Sequence, residues 1–404
     1  MENTSVSELA SQVLESCLAD RPWPALGPLL EKATSDNPEL ASAASRALFT
    51  TVVERLGDLF EPRLCDVYAR LFSEVITYVR PKLATAELLS RYSRVRRARR
   101  FAGGDPRKVF VLSRITLGAD VAVTSVVLDA MKRRFPSAAI YLVGPKKNWE
   151  LFAADPQIRH FPFTYGRTGS VRERLATIPG VDEDDSIVVD PDSRLSQLGL
   201  LPLCSEDRYY FFESRGYGGE GTESLSTLTG RWVAETFGVS DARAYIAPLP
   251  VYQRPEVTVS FGVGENPEKR IDDPFEQDLI GSLVGRGHAV LVDKGAGADE
   301  TRRVENVLAI FPMVEAWEGD YAPFASMISR SQLYIGYDSA GQHVAAACGV
   351  PLISVFAGYV SDRMFQRWYP TGPGPRHVIK VTDRNPQRVL RSVIGTIDSL
   401  RGEA

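Results

Sequence analysis

From Lys108 onward, short apolar runs alternate with helix-length segments, and this alternation constrains the fold more than any other feature of the chain. Val109 to Leu112 leads into a helical stretch near Val121 to Arg134 and then to Ile140 to Val143, while Ile187 to Val189 and Tyr209 to Phe212 supply further short strands. A second series follows Pro248-Leu249-Pro250, with Val257 to Phe261, Ala289 to Val292, Leu333 to Gly336 and Leu352 to Val355. Strands separated by helices pair in parallel under helical cover, and their ligands lie beyond the strands' carboxyl ends. The pattern predicts two α/β domains facing a cleft.

The first hundred residues read differently. Leu9, Val13 and Cys17, then Leu48, Val52 and Leu56, then Leu64, Val67, Leu71, Val75 and Val79 recur at helical spacing. Ser5 and Glu8 have capping-box spacing, and the Pro22 to Pro28 and Asn37-Pro38 stretches read as breaks. An arginine cluster, Arg91, Arg94, Arg96, Arg97, Arg99 and Arg100, precedes the turn Gly103-Gly104-Asp105-Pro106, where a boundary fits. The expected division is an all-helical N-terminal domain (1–100) and two α/β domains (101–245 and 246–404), with the C-terminal helix packing back on the middle one. The cluster suits an anionic membrane or a phosphorylated ligand, but an acidic neighbouring surface or plain solvation is the preferred reading. The glycine-rich loop Gly216 to Gly221 reads as a long connection in preference to a lid.

With 404 residues the chain exceeds the usual single core, so several domains are expected. Lys and Arg total 47 against 51 Asp and Glu, a net charge of −4 that argues against broad nucleic-acid binding. Cys17, Cys65, Cys204 and Cys348 are scattered, lack metal-ligand spacing, and read as buried reduced thiols. The N-terminus lacks a basic and then apolar leader, and no apolar stretch approaches the roughly 20 residues of a membrane span. A cytoplasmic protein is expected, with any membrane contact peripheral.

The most informative segment runs from Leu333 through Asp338-Ser339-Ala340-Gly341-Gln342-His343 and the small residues to Cys348, then Gly349-Val350-Pro351 and a second apolar run. It reads as strand, polar turn, short helix, strand. Free N–H groups converge at such a helix start and hold anions, phosphate especially. A nucleotide diphosphate is one reading; a helix cap by Asp338 or Ser339, with His343 packed on the first turn, is the other.

Further blocks stand at strand ends. Ser113-Arg114-Ile115-Thr116-Leu117-Gly118-Ala119-Asp120 offers Asp120 as an ionised base or as an N-cap. Phe261 to Ile271 carries Lys269 and Arg270, which would neutralise a diphosphate or simply be surface charge. Asp190-Pro191-Asp192-Ser193-Arg194 follows a third strand, Asp299 and Glu300 open a later helix, and Arg367-Trp368-Tyr369-Pro370 forms an aromatic turn.

Together these blocks, in this order over about residues 108 to 400, resemble the heptosyltransferase family of GT-B glycosyltransferases. The resemblance implies two Rossmann-like domains, the acceptor-side one first and the nucleotide-sugar-binding one second. It implies Asp120 as base, Lys269 and Arg270 at the donor phosphate, Asp299 and Glu300 at ribose, and Asp338, Ser339, Ala340, Gly341 and His343 around the donor. Asp190 and Arg194 would face the acceptor. It further implies ADP-heptose as co-substrate, transfer with inversion to a sugar-containing acceptor, and neither a metal nor another cofactor. The chain departs from the family in Ala119 inserted before Asp120, in Ala340 and Gly341 where the family prefers Gly and Pro, and in the helical first hundred residues. These departures widen the acceptor from lipopolysaccharide-like glycans to small metabolites or proteins, and leave a homo-oligomer through the N-terminal domain open. Two rivals remain: a sugar-nucleotide epimerase of the same architecture, and an inactive scaffold.

Overall fold

The computed structural model describes residues 4–264 and 266–402. Among the described residues eleven strands form two all-parallel sheets. The first holds β1 (Lys108–Leu112), β2 (Ala139–Gly144), β3 (Ile158–Pro162), β4 (Ser186–Asp190) and β5 (Tyr209–Phe211) in the order β3-β2-β1-β4-β5. The second holds β6 (Val257–Ser260), β7 (Val290–Asp293), β8 (Glu315–Trp317), β9 (Leu333–Tyr337), β10 (Leu352–Phe356) and β11 (Arg376–Lys380) in the order β11-β10-β9-β6-β7-β8. Chain direction across each sheet reverses once, between β1 and β4 and between β6 and β9. The crevices at those points are where open parallel sheets bind ligands.

Alternation along β1 shows how the layers divide. Val109 and Val111 join the apolar cluster with Val127, Leu128, Met131 and Trp232 of the helices Ser125–Arg134 and Leu225–Phe237. Phe110 and Leu112 point the other way, toward Leu64, Tyr68, Leu71 and Phe72 of the helix Pro62–Val79. The connection from β4 to β5 contains only short 3-10 turns, Arg194–Ser196 and Glu206–Arg208, so no crossover helix covers that side. The N-terminal helices take its place. They are helical as expected, but their core is continuous with that of the first sheet.

Local signals within that segment are met. Ser5 Oγ accepts from Glu8 N and the Glu8 carboxylate accepts from Ser5 N, completing the capping box. Pro28, expected in a break, lies inside the helix Leu26–Ala33; a first-turn proline removes an N–H that has no intrahelical partner. The arginine cluster is largely spent internally. Arg94 pairs with Glu206 at 2.7 Å, Arg96 with Asp66 and Glu213, Arg91 donates to Gly199 O at 2.7 Å, and Arg99 to backbone carbonyls at 206, 207 and 209.

The C-terminal helix Pro386–Gly402 does not pack back on the middle domain. Val389, Val393 and Ile397, spaced four apart, enter the cluster of Phe275, Leu279 and Leu283 beside the second sheet, and Gln387 donates to Asp278 at 2.6 Å. That stripe is needed to cover its own domain. The two α/β domains meet instead through Val121, Ala122 and Val123 on one side and Val344, Ala345 and Ala346 on the other. Three cysteines are buried and Cys348 is half-buried, all as free thiols. No helix among the described residues is long and apolar enough to cross a membrane.

Candidate active site

The carboxyl ends of β6 and β9 bring Lys269 and Asp338 together. Lys269 closes the 3-10 turn Pro267–Lys269, capped by Asn266, whose side chain accepts from Glu268 N at 3.0 Å. Gly358 fixes this turn from the far side. Its φ is +67°, and a Cβ there would stand 2.7 Å from the Glu268 carbonyl carbon and 2.8 Å from Lys269 N. Lys269 Nζ then lies 2.8 Å from Asp338 Oδ2 and 2.9 Å from Asp338 O. Asp338 Oδ1 accepts from Gln342, whose own amide oxygen accepts from Ser354 Oγ at 2.6 Å.

Ser339 is the N-cap of the helix Ala340–Cys348, in extended conformation and without a side-chain cap bond. Gly341 faces the Tyr334 hydroxyl so closely that any side chain would run into it. His343 is buried, with its ring centroid 5.8 Å from that of Trp368. Burial pushes its pKa down to about 4, with Asp338 pulling upward and Lys269 downward, so the ring is neutral at ordinary pH. Across the cleft the loop after β1 approaches this helix start. A Cβ on Gly118 would be 3.2 Å from Ala340 Cα and 3.4 Å from the His343 ring, so any side chain there would push the two elements apart by a few tenths of an ångström.

Asp120 is not the open base expected of it. It is fully buried at the start of a π-helix, Asp120–Thr124. Its Oδ1 accepts from Arg114 N at 2.7 Å and Thr124 Oγ1 at 2.5 Å, and its Oδ2 from Ser113 Oγ and Asn148 Nδ2, each at 2.6 Å. Burial pushes its carboxyl above the ordinary value, against the pull of those four hydrogen bonds. With Ala119 inserted, the carboxylate ties the loop after β1 to its own strand and helix.

Other expected residues divide in the same way. Arg270 turns from the cleft to pair with Glu276 at 3.0 Å, a buried carboxylate also held by Arg303 and Tyr337. Asp299 is exposed and pairs with Arg302 at 2.5 Å. Glu300 braces the loop after β6, accepting from Val263 N at 3.1 Å and Ala296 N at 3.3 Å. Asp190 is buried and accepts from Ser193 N at 2.7 Å and from Tyr209; burial pushes its pKa up to about 6. Asp192 pairs with Arg215 at 3.0 Å, and both are buried. Arg194 differs from these, because its Nη1 is buried with no partner.

The glycine-rich loop is a bridge between domains. Arg363 donates to Gly219 O at 2.9 Å, and Arg367 donates to Gly219 O at 3.0 Å and Glu223 O at 2.7 Å. The sequence reading assigned no role to Gln342, Asn148 or Gly358. Gln342 lies inside the helix-start motif, four residues after Asp338, the helical spacing at which side chains meet; the other two act across long sequence separations that no local pattern announces.

No family profile matches the sequence. Lipopolysaccharide heptosyltransferase 3 of Escherichia coli is 34% identical over 93 residues, 22% of this chain and 27% of that protein. The aligned part is thus about a quarter of the relative's length. The E. coli heptosyltransferase WaaC with ADP matches with a TM-score of 0.57 at 14% identity, over 72% of this chain and 99% of that one. E. coli ADP-heptose lipopolysaccharide heptosyltransferase II matches at 0.50 and 17%, over 74% and 100%. The chain resembles the heptosyltransferases in fold and in sequence. Its two sheets are the paired α/β domains of this heptosyltransferase-like GT-B fold, and the helix start at Ala340 stands against Gly118 of the other domain.

Proposed function

We propose that this heptosyltransferase-like chain is a glycosyltransferase that moves a sugar from a nucleotide diphosphate, ADP-heptose, to an acceptor hydroxyl with inversion. The observation that carries the reading is the Lys269–Asp338 pair at the opening of the helix Ala340–Cys348, directly opposite Gly118 of the other domain. A diphosphate at this point meets free helix N–H groups and an ammonium held in place by Asp338. Because Gln342 also holds Asp338, the carboxylate keeps a partner when Lys269 turns toward phosphate. Neutral His343, buried against Trp368, adds no charge to compete with it.

The leaving diphosphate's charge falls on Lys269 and the helix start, which favours breaking the bond to the sugar. A sugar-containing acceptor enters from the side of the first sheet, past Arg194. The protein is proposed to act in the cytoplasm, without a bound metal. The test is calorimetric titration with ADP, UDP and GDP, followed by ADP release from ADP-heptose. Selective ADP binding, weakened at least tenfold in Lys269→Ala and in Asp338→Ala, supports the assignment. Absence of binding to all three nucleotides refutes it.

A further inference from the structure

Glycosyl transfer to a hydroxyl needs a group to take the proton, and Asp120 is closed off. Another carboxylate lies on a turn that touches both domains. Asp58 ends the short helix Arg55–Asp58 of the N-terminal segment, is half-buried, and receives a hydrogen bond from no described residue.

The turn that carries Asp58 is wedged across both domains. Gly57 lies against the Arg215 side chain of the first. Phe60 sets its ring 6.2 Å from that of Trp368, the residue that also neighbours His343, and its carbonyl accepts from Arg363 at 3.3 Å. The charges acting on Asp58 are Glu54 and Arg55 on its own segment, Arg194 from the loop after β4, and Lys269 from the loop after β6. Asp58 therefore feels both the lysine assigned to the leaving diphosphate and an arginine with a buried, unpartnered Nη1. Arg174, whose Nε is also buried without a partner, adjoins Arg194 and Glu54.

We propose that Asp58 accepts the proton of the attacking hydroxyl, with Arg194 holding the acceptor beside it; this rests on the transferase reading above. The acceptor O–H gives its proton to Asp58 while the oxygen bonds to the anomeric carbon. The bond from that carbon to the diphosphate oxygen breaks, and its electron pair leaves with ADP. Asp58 then returns the proton to water. Burial first, with Glu54 in support and Arg194, Lys269 and Arg55 opposing, brings the carboxyl up to about 6. It is ionised at neutral pH and basic enough to act there.

Two measurements test this. ADP release from ADP-heptose is followed from pH 5 to 9 with water and with deacylated lipopolysaccharide core as acceptors, in wild type, Asp58→Asn and Asp120→Asn. Asp58→Asn is expected to lose about 10²-fold or more in kcat and the rise in rate near pH 6, while binding ADP as well as wild type or better. In parallel, carbon-13 carboxyl shifts of aspartate-labelled protein, assigned through Asp58→Asn, are titrated with and without ADP. The Asp58 midpoint is expected near 6 and higher with ADP, because a diphosphate at Lys269 offsets that cation. Wild-type turnover and pH profile in Asp58→Asn, or a midpoint that ADP does not move, overturns the proposal alone. Wild type that binds no ADP overturns the transferase reading and this proposal with it.

Discussion

Replacing Asp120 separates a structural carboxylate from a catalytic one. In Asp120→Ala the part-buried Arg114 N and the buried Ser113 Oγ, Thr124 Oγ1 and Asn148 Nδ2 lose their acceptor. The two hydroxyls can rotate toward carbonyls, but the Arg114 amide and the Asn148 side chain cannot easily re-pair. At about 1–3 kcal/mol for each buried unsatisfied group, the loss is about 4 kcal/mol. Spread over the unfolding entropy of a chain this long, that lowers Tm by about 5 °C. Asp120→Asn should behave differently. The introduced amide keeps one oxygen for Arg114 N and Thr124, and Asn148 can flip so that its Oδ1, now without a partner, accepts from the new N–H. Its cost is about 1–2 kcal/mol. Differential scanning calorimetry and ADP-heptose turnover on both variants check this. Full stability with complete loss of turnover in Asp120→Asn would refute the structural assignment.

Four further outcomes follow from the same geometry. Arg270→Ala removes one of three partners of Glu276 and is expected to cost about 1 kcal/mol in urea denaturation while leaving ADP affinity within about twofold by titration. Gly358→Ala places a Cβ against the backbone of Glu268 and Lys269 in a left-handed conformation; about tenfold weaker ADP binding is expected by calorimetry, and unchanged affinity would show that the Lys269 turn is not held there. His343 has a folded pKa of about 4 against an ordinary value of 6.5, so its contribution is present above pH 6.5 and is lost as pH falls toward 4. The gap corresponds to about 3 kcal/mol, measured as the difference in pH dependence of stability between wild type and His343→Gln. Deleting residues 1–100 strips Phe110, Leu112, Val188 and Phe211 of their cover and should yield aggregated protein, so a soluble truncation with native near-ultraviolet dichroism would contradict the shared core.

Fold was legible because each strand is a short apolar run set off by helical stretches or turn-forming residues. Val109 to Leu112 and Leu333 to Gly336 need no tertiary help to be recognised, and the helix start at Ala340 follows from small residues after a polar turn. β3, β8 and β11 escaped notice: Ile158-Arg159-His160, Glu315-Ala316-Trp317 and Arg376-His377-Val378 lie at sheet edges where polar side chains are tolerated. Site chemistry was legible only where a side chain's partner is nearby or follows from the strand order. Lys269 and Asp338 meet because β6 and β9 are adjacent. Arg270 and Asp299 carry the same charges as Lys269 and Asp338, and only the positions of Glu276 and Arg302 reveal that theirs are spent elsewhere.

The N-terminal helices show why domain organisation was harder to read than secondary structure. Helical periodicity records that a face is buried, not what buries it. Tyr68 and Phe72 look like the core of a helical bundle, yet they pack toward a β-sheet whose missing crossover helix leaves no mark in the sequence except the lack of a helical pattern between Asp190 and Tyr209. Once the segment is a layer of the first domain, its turns are carried to that sheet's carboxyl edge. Helices joined to the edge of a ligand cleft can place side chains in it, and Gly57, Asp58 and Phe60 arrive between Arg215 and Trp368 for that reason. An added helical segment in this fold is therefore better understood as part of the wall around the substrates than as an appended module.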